Sequence, residues 1–404
     1  MTDCVACGAG TLVEFADLGG IPVLCGVHYA TRDEAVASPL GRMLLGYCEN
    51  CAYVRNLGFD PQIMVYDTTM DTNLHHSAAF RGFSTDLVEG LAERHELAGR
   101  RILDIGCGQG EFLRELCEHT GATGFGFDPM YAGTPGPDSS GAFFVSGRAP
   151  LAEPAQLPDF DFVTSRHWFE HEDDPYAFLT ALRERAGDRE VRGYIEVPDA
   201  GYDLATAGWE VIYPHVSYFD SVALAAIVER AGWHVIAEGT WFSGMFRYIE
   251  FSTRPSGPAR TGREDVGRPQ DAGRLFWPDH TAARDRQLNA VRGFAERHRR
   301  ELDRWHTTLA ALRDSGQRPV LWGAGSRGVQ FLTQVDPKVE LSAVVDVNPR
   351  KWGRFLPVTG HRVDSPETLR EIQPGAVVIT NPAYTDEIAR SLTELGLDAQ
   401  ILTA

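Results

Sequence analysis

The chain has no excess of basic residues, no long apolar run and no signal-peptide pattern, and each absence excludes a class of protein. Acidic residues outnumber lysine and arginine by 56 to 38, which gives a formal net charge of -18. A phosphate backbone attracts positive surfaces, so we expect no nucleic-acid partner. No apolar run reaches the roughly 18 residues of a membrane-spanning helix, and the opening MTDCVACGAG lacks the charged and apolar stretches of a signal peptide. We therefore expect a cytoplasmic protein without a membrane partner.

Cysteine is scarce as well, with seven in 404 residues, and its spacing argues against a disulfide framework. Four of the seven form two Cys-x-x-Cys pairs, Cys4 with Cys7 and Cys48 with Cys51. Two such turns can complete a tetrahedral thiolate shell around zinc, which leaves no open position for catalysis. We therefore predict a structural zinc ion, with four unpaired thiols as the alternative. The remaining cysteines are expected in the core: Cys25, Cys107 and Cys117.

The length and a hydrophobic content of 43% predict more than one domain. Residues 1–70 are glycine-punctuated and weakly periodic, and we interpret them as a small loop-rich zinc module. Residues 71–253 alternate apolar runs with amphipathic segments, which is typical of an α/β sheet covered by helices. Residues 254–314 begin rich in Pro, Gly, Arg and Asp and predict a linker followed by a long connecting helix over 280–314. Residues 315–404 predict a second α/β domain.

The segment ILDIGCGQGEFL at 102–113 predicts a strand, a tight glycine turn and the start of a helix. Its glycines follow a GxGxG pattern: Gly106, Gly108 and Gly110. Asp128 ends the next strand, where a carboxylate can accept hydrogen bonds from both hydroxyls of a ribose. Asp104, just before the turn, suits the ammonium group of a methionine moiety. Together they predict an S-adenosylmethionine site on a Rossmann-like sheet of the class I methyltransferase type, with a purely structural turn as the alternative.

A second glycine turn, LWGAGSRG, follows a predicted strand and matches GxGxxG. Its glycines are Gly323, Gly325 and Gly328, and Asp346 ends the following strand in VVDVNP. This fingerprint supports a rival interpretation, a zinc-containing NAD-dependent oxidoreductase whose first α/β unit binds the substrate. Two points oppose it, since the four-cysteine shell is closed and the first turn has the more complete set of cofactor residues.

Histidines cluster where strands of the first α/β unit are predicted to end, in SRHWFEH at 165–171 and IYPHVSYF at 212–219. Reacting groups lie at such strand ends in open α/β sheets, and histidine can accept a proton near neutral pH. The candidates are Arg166, His167, Glu170, His171, Tyr213, His215 and Tyr218. We expect Arg166 and His167 to contact the cofactor, although each histidine could instead be a core or capping residue. Two further histidines are expected at the surface: His75 and His76.

These motifs belong to a longer ordered series of blocks: CVAC, CENC followed by FDP, ILDIGCGQGEFL, SRHWFEH, IEVPD, HVSYF, LWGAGSRG, VVDVNP and TNPAYTDEI. In this series the chain resembles, over nearly its full length, the S-adenosylmethionine-dependent nucleotide-sugar 3-C-methyltransferases, which act on dTDP-linked keto-deoxysugars. The resemblance implies three parts, namely a zinc module, a cofactor domain and a C-terminal Rossmann-like domain that helps to hold the substrate and does not use NAD.

The resemblance also implies roles for individual residues. His215 is expected to be the general base on the sugar carbon next to the ketone, and His171 and Tyr66 are expected to contact the sugar. The chain differs from the family pattern where the substrate would lie, because Pro214 stands in place of a glutamate and Met70 in place of a tyrosine. We expect these two differences to alter the acceptor that the pocket takes.

We therefore predict an enzyme, an S-adenosylmethionine-dependent C-methyltransferase that acts on a nucleotide-linked keto-deoxysugar in natural-product (antibiotic) biosynthesis through a base-generated enolate. The alternative is an O-, N- or C-methyltransferase, with the same cofactor, of a non-sugar small natural-product intermediate. A third interpretation is an interaction protein that has a zinc module and no enzymatic activity. The expected partner is a small molecule, and the architecture is compatible with a monomer.

Overall fold

The computed structural model describes residues 3–71, 73–255, 280–335 and 341–404. In these ranges the chain forms three β-sheets, of four, eight and five strands. The predicted linker that begins at residue 254 lies mostly outside the described residues. Among the described helices, none combines the length and the apolar character that crossing a bilayer requires.

The N-terminal module is built on an antiparallel sheet. Its elements are β1 (Leu12–Pro22), α1 (Arg32–Val36), β2 (Leu40–Cys48) and β3 (Val54–Asn56). The expectation of a loop-rich module is therefore wrong, and the reason is local. Register shifts between Glu14 and Ala16 and between Asp17 and Gly19 interrupt β1, so the sequence lacks the strict alternation by which a strand is recognised.

The middle of the chain forms the predicted α/β sheet. Its elements follow in chain order: α2 (Ala78–Arg94), β4 (Arg101–Ile105), α3 (Glu111–Thr120), β5 (Thr123–Asp128), β6 (Gly136–Pro137), β7 (Ala142–Ser146), β8 (Phe162–Arg166), α4 (Pro175–Ala186), β9 (Arg192–Pro198), α5 (Ala200–Ala205), β10 (Ser217–Tyr218), α6 (Ser221–Arg230), β11 (His234–Trp241) and β12 (Phe246–Ser252). The strand order is β11-β12-β9-β8-β4-β5-β7-β6. Strand β10 is the exception, since it pairs with β3 of the N-terminal module.

Strand β4 lies between β5 and β8, and all three run parallel. The chain leaves β4 toward one side of the sheet, through β5 and β7, and returns to the other side through β8 and β9. Ligands bind outside the carboxyl ends of the strands at such a reversal of strand order. Asp104, Asp128 and Arg166 lie at the carboxyl ends of these strands, as the sequence predicts.

The C-terminal part is a second, parallel α/β sheet. Its elements are α7 (His280–Asp314), β13 (Pro319–Trp322), α8 (Ser326–Val335), β14 (Ala343–Val345), β15 (Val363–Asp364), α9 (Leu369–Ile372), β16 (Ala376–Ile379), α10 (Thr385–Leu395) and β17 (Gln400–Thr403). The strand order is β15-β14-β13-β16-β17, and every pair is parallel. The order reverses beside β13, so the second glycine turn also lies at a carboxyl edge.

Helix α7 joins the parts of the protein. Its first half contributes Leu288, Val291 and Phe294 to the apolar core of the N-terminal module. Its second half contributes Trp305 and Leu309 to the core under the C-terminal sheet. One long helix therefore supports both the N-terminal module and the C-terminal sheet. Side chains from both parts line a common cavity at the carboxyl edge of the central sheet.

Candidate active site

A cavity of about 360 Å³ lies where the three parts of the protein meet. Residues of the first glycine turn and of the β8 carboxyl end line it, together with residues of the second glycine turn after β13. The N-terminal part adds Tyr66 and Met70 to the lining. A single space therefore connects the predicted cofactor turn with the C-terminal sheet.

The first glycine turn needs glycine at three positions, since φ is 81° at Gly106, 57° at Gly108 and 86° at Gly110. A Cβ atom on Gly106 would lie 2.2 Å from Trp168, and one on Gly110 would lie 2.5 Å from Phe144. A Cβ atom on Gly108 would meet no atom within 4 Å. Gly106 and Gly108 line the cavity, so the open backbone at Gly108 can be approached by a ligand.

Two buried carboxyl groups flank this turn. Asp104 accepts a hydrogen bond from Thr164 Oγ1 at 2.7 Å. Asp128 accepts two backbone hydrogen bonds, from Gly108 N at 2.8 Å and Met130 N at 2.6 Å. Burial raises the pKa of each carboxyl to about 6. A bound ammonium group or ribose hydroxyls would favour the ionised forms, so both residues fit the cofactor roles expected of them.

Arg166 and His167 share one buried partner, Glu196 on β9. Arg166 Nε and His167 Nε2 lie 3.0 Å and 3.1 Å from Glu196 Oε1. Burial alone would raise the pKa of Glu196, but Arg166 and then His167 bring it down to about 2. His167 also holds a φ of 53°, which is rare for a residue with a side chain. Both side chains line the cavity, and both are held by Glu196, so the cofactor contacts expected of them stay a prediction.

His215 lies in the cavity with one ring nitrogen engaged. Its Nδ1 atom is 3.2 Å from the backbone carbonyl oxygen of Glu210, an acceptor that favours the Nδ1-protonated tautomer. Its Nε2 atom then carries the free lone pair and lies 3.9 Å from Glu170 Oε1. Burial lowers the pKa of His215 well below its ordinary value, and His171 lowers it further. The imidazole is therefore neutral near pH 7 and able to accept a proton.

The three residues expected to act on the substrate do lie together. The rings of His171 and His215 are 4.9 Å apart, and Tyr66 Oη lies 3.1 Å from His171 Nδ1. His171 Nδ1 is also 2.8 Å from the carbonyl oxygen of Pro214, and Tyr66 Oη donates to the same oxygen at 3.3 Å. Pro214 therefore contributes its backbone to the site. Burial lowers the pKa of His171 to about 4, so this ring is also neutral.

At the second glycine turn the acidic residue, Asp346, forms an ion pair with a lysine. Asp346 accepts hydrogen bonds from Ala324 N at 2.7 Å and Asn348 N at 2.8 Å. It also accepts one from the buried ammonium group of Lys351 at 3.0 Å. An acid paired in this way is a poor acceptor for ribose hydroxyls, which argues against the NAD interpretation of this turn.

Several residues of the cavity were not singled out as site residues by their sequence pattern. His75 and His76 are half-buried and line the cavity, so the expectation that they lie at the surface is wrong. Glu210 lines it as well, and its carboxylate lies 3.4 Å from Arg327 of the C-terminal sheet. Their positions depend on contacts between distant segments, which a sequence does not display.

The four cysteines of the paired motifs converge at the base of the N-terminal sheet. Their sulfur atoms all lie within 4.8 Å of one another. Cys4 Sγ is 3.6 Å from Cys51 Sγ, and Cys7 Sγ is 3.8 Å from Cys48 Sγ. Zinc–sulfur bonds in a tetrahedron place the sulfurs about 3.8 Å apart, so the cluster fits a zinc ion. Of the other cysteines, Cys25 and Cys107 are buried beside the cavity and Cys117 is buried in the core.

Two family models match the chain in the regions that surround the cavity. Residues 74–238 match a methyltransferase domain. Residues 275–399 match a C-methyltransferase C-terminal domain. The protein is a methyltransferase. The central sheet of this methyltransferase is the Rossmann-like class I sheet predicted from its sequence, and the rival oxidoreductase interpretation is set aside.

Several solved methyltransferase structures are similar to part of this chain. An S-adenosylmethionine-dependent methyltransferase from Mesorhizobium loti is 16% identical, with a TM-score of 0.33 over 40% of this chain and 97% of its own. One from Archaeoglobus fulgidus is 21% identical, with a TM-score of 0.33 over 45% of this chain and 100% of its own. The 1,6-didemethyltoxoflavin N1-methyltransferase of Burkholderia thailandensis is 16% identical, with a TM-score of 0.32 over 44% of this chain and 79% of its own. No curated protein sequence gives a significant match.

The two glycine turns of this methyltransferase can be told apart by replacing their acids. We expect Asp128→Asn to weaken S-adenosylmethionine binding about 10- to 100-fold, because hydrogen bonds to a charged acceptor contribute roughly 1.5–3 kcal/mol each. Asp346→Asn is the matched control and should leave the dissociation constant unchanged. Isothermal titration calorimetry measures both. A loss of affinity in Asp346→Asn with none in Asp128→Asn would place the cofactor at the second turn.

Proposed function

We propose that the protein methylates a carbon atom of a nucleotide-linked keto-deoxysugar through an enolate. The observation that carries this proposal is His215, a buried neutral imidazole that lines the same cavity as the cofactor turn and whose Nδ1 atom, not Nε2, is engaged by the carbonyl oxygen of Glu210. A carbon nucleophile needs a base to form, whereas many oxygen and nitrogen nucleophiles do not. The match of residues 275–399 to a C-methyltransferase C-terminal domain supports the same conclusion.

The chain's own residues perform the proton chemistry. His215 Nε2 takes the proton from the carbon next to the ketone, and the electron pair of the broken C–H bond moves onto the ketone oxygen. Tyr66, whose hydroxyl donates to the carbonyl oxygen of Pro214, can donate to that oxygen instead, which is how an enolate is stabilised. The single N–H of neutral His171 is engaged by the same carbonyl oxygen, so His171 can offer its Nε2 atom as an acceptor to a sugar hydroxyl. When bound, S-adenosylmethionine supplies an activated methyl group to the enolate carbon. Asp104, Gly108 and Asp128 are the residues that would hold the cofactor.

The part of the cavity lined by the C-terminal unit is consistent with a substrate that extends beyond the sugar. Ser326, Asn348 and Asn381 line it from the C-terminal sheet and offer hydrogen-bonding groups to a nucleotide. Arg327 also lines this part, between Thr380 O at 2.8 Å and the carboxylate of Glu210. In this proposal the C-terminal unit helps to hold the substrate.

We further infer that the four-cysteine cluster holds one structural zinc ion. The sulfur separations fit the metal, and four thiolates complete its shell. The cluster lies in the same module that supplies Tyr66 and Met70 to the cavity. The ion's role is to hold this module in shape, and it takes no part in methyl transfer.

Mass spectrometry in deuterated water tests the proposed reaction. The protein is incubated with S-adenosylmethionine and a dTDP-4-keto-6-deoxysugar, and both solvent exchange and methyl gain are followed. We expect deuterium to enter at the carbon next to the ketone and one methyl group to be gained there. Cofactor binding without either event would reject the keto-sugar and favour the second candidate, a non-sugar acceptor, which the altered pocket positions Met70 and Pro214 would then serve.

A further inference from the structure

Glu170 is a buried carboxyl group for which the site as described so far has no use. The residue is 2% exposed and lies four residues after the end of β8, in the short helical turn Phe169–His171. Neither of its side-chain oxygens accepts a hydrogen bond from the residues that the structure describes. A carboxyl group buried without hydrogen bonds destabilises the fold, so its presence beside a cavity suggests a function.

His215 is the partner that the geometry offers to Glu170. Glu170 Oε1 lies 3.9 Å from His215 Nε2, the nitrogen that carries the free lone pair. The two segments are held side by side by the main chain, because Val216 N donates to the carbonyl oxygen of Glu170 at 2.9 Å. The other titratable groups that face this pair are Tyr66, His167, His171, Glu196 and Glu210. Pro214 has no carboxyl group to offer, although it precedes His215 directly.

We propose that Glu170 is the final acceptor of the proton that His215 removes from the substrate. This role rests on the proposed function and adds a residue to it. In the first step the substrate C–H bond breaks, an Nε2–H bond forms and the electron pair moves to the ketone oxygen. In the second step that Nε2–H bond breaks and an O–H bond forms on ionised Glu170, which returns His215 to its neutral form. Glu170 therefore acts through His215 and does not need to touch the substrate.

The surroundings favour this direction of transfer. Burial raises the pKa of Glu170 well above its ordinary value, and Glu210 and Glu196 raise it further. Burial lowers the pKa of His215. Both effects favour a neutral carboxyl group beside a neutral imidazole, which is the state after the second step. The same effects require Glu170 to lose its proton before the next cycle, so turnover should rise with pH as Glu170 ionises.

The pair can be tested first without substrate, by ¹⁵N NMR of the histidines in the full-length zinc-loaded protein. We expect the His215 resonances of the wild type to show a transition well above the pH range in which an ordinary carboxyl group ionises, caused by the ionisation of Glu170. Glu170→Gln should lose this transition. Glu238→Gln is the matched control, because Glu238 lies outside the cavity and burial raises its pKa to about 7. Its Oε2 atom, like the oxygens of Glu170, has no hydrogen-bond partner among the described residues. Absence of the transition from the wild type would overturn the proposal.

The pH profile of turnover is the second measurement. We expect kcat/KM of the wild type to rise through the range of the NMR transition. Glu170→Gln should be about 10²- to 10⁴-fold slower, as for loss of a proton-transfer partner, and should lack the rise. Glu238→Gln should keep the profile. A wild-type profile in Glu170→Gln would overturn the proposal, and so would a second equivalent of bound zinc that Glu170→Gln releases. If the wild type did not act on the keto-sugar, the proposed function would fail, while the NMR transition would still decide the pairing.

Discussion

His215→Asn is expected to stop methyl transfer, with kcat reduced about 10²- to 10⁴-fold, the usual effect of a lost general base. Asparagine can keep a hydrogen bond to the carbonyl oxygen of Glu210, but its amide cannot accept the substrate proton. Binding of S-adenosylmethionine should be unchanged, because His215 is not among the residues that flank the glycine turn. The rate is measured by methyl gain in mass spectrometry and the affinity by calorimetry.

His119→Asn is the control for this variant, since His119 is exposed on α3 away from the cavity. It should keep both rate and affinity. Solvent exchange at the substrate carbon separates the two halves of the reaction, and His215→Asn should lose exchange together with methyl transfer. Turnover at the wild-type rate in His215→Asn would mean that another group removes the proton, or that none needs to be removed.

Cys48→Ser is expected to release the zinc ion and to unfold the N-terminal module. Structural zinc sites contribute roughly 10–16 kcal/mol of apparent binding free energy at neutral pH, which is comparable to the total stability of a typical domain, about 5–15 kcal/mol. Cys48 is fully buried at the end of β2, so serine at this position removes one of the four ligands and leaves a buried hydroxyl group among apolar residues. Elemental analysis gives the zinc content, and thermal unfolding gives the loss of stability.

Cys117→Ser provides the comparison, because Cys117 is a buried free cysteine outside the cluster. This variant should keep one zinc ion per chain and lose only a little stability. Activity should fall in Cys48→Ser alone, since Tyr66 and Met70 reach the cavity from the same module. Wild-type protein that contains no zinc when produced in zinc-supplemented medium would contradict the metal assignment.

Much of the fold can be predicted from local patterns. The glycine turn between β4 and α3 and the connecting helix over residues 280–314 both show in the sequence, because their periodicity and turn chemistry are local. The predictions missed the sheet of the N-terminal module. Strands of this kind depend on their neighbours in the sheet, and in β1 the bulges also hide the alternation.

The sequence predicts which residues are candidates for the site, but it does not predict their contacts. The motifs that contain Tyr66, His171 and His215 name three side chains that the structure brings together. Sequence patterns do not show that Glu170 is left without hydrogen bonds or that Lys351 neutralises Asp346, because both facts depend on burial and on packing. The resemblance suggested the roles, and the described contacts supply the physical reason for testing them.

The pairing of β10 with β3 has a consequence for changing the acceptor range of the enzyme. Val216, the residue after the proposed base His215, is fixed by main-chain hydrogen bonds on both sides, from Asn56 N to the carbonyl oxygen of Val216 at 3.0 Å and from Val216 N to that of Glu170 at 2.9 Å. Main-chain bonds do not depend on the identity of side chains. Wall residues such as Met70 and Leu74 can therefore diverge in evolution, or be redesigned for bulkier acceptors, while His215 keeps its position.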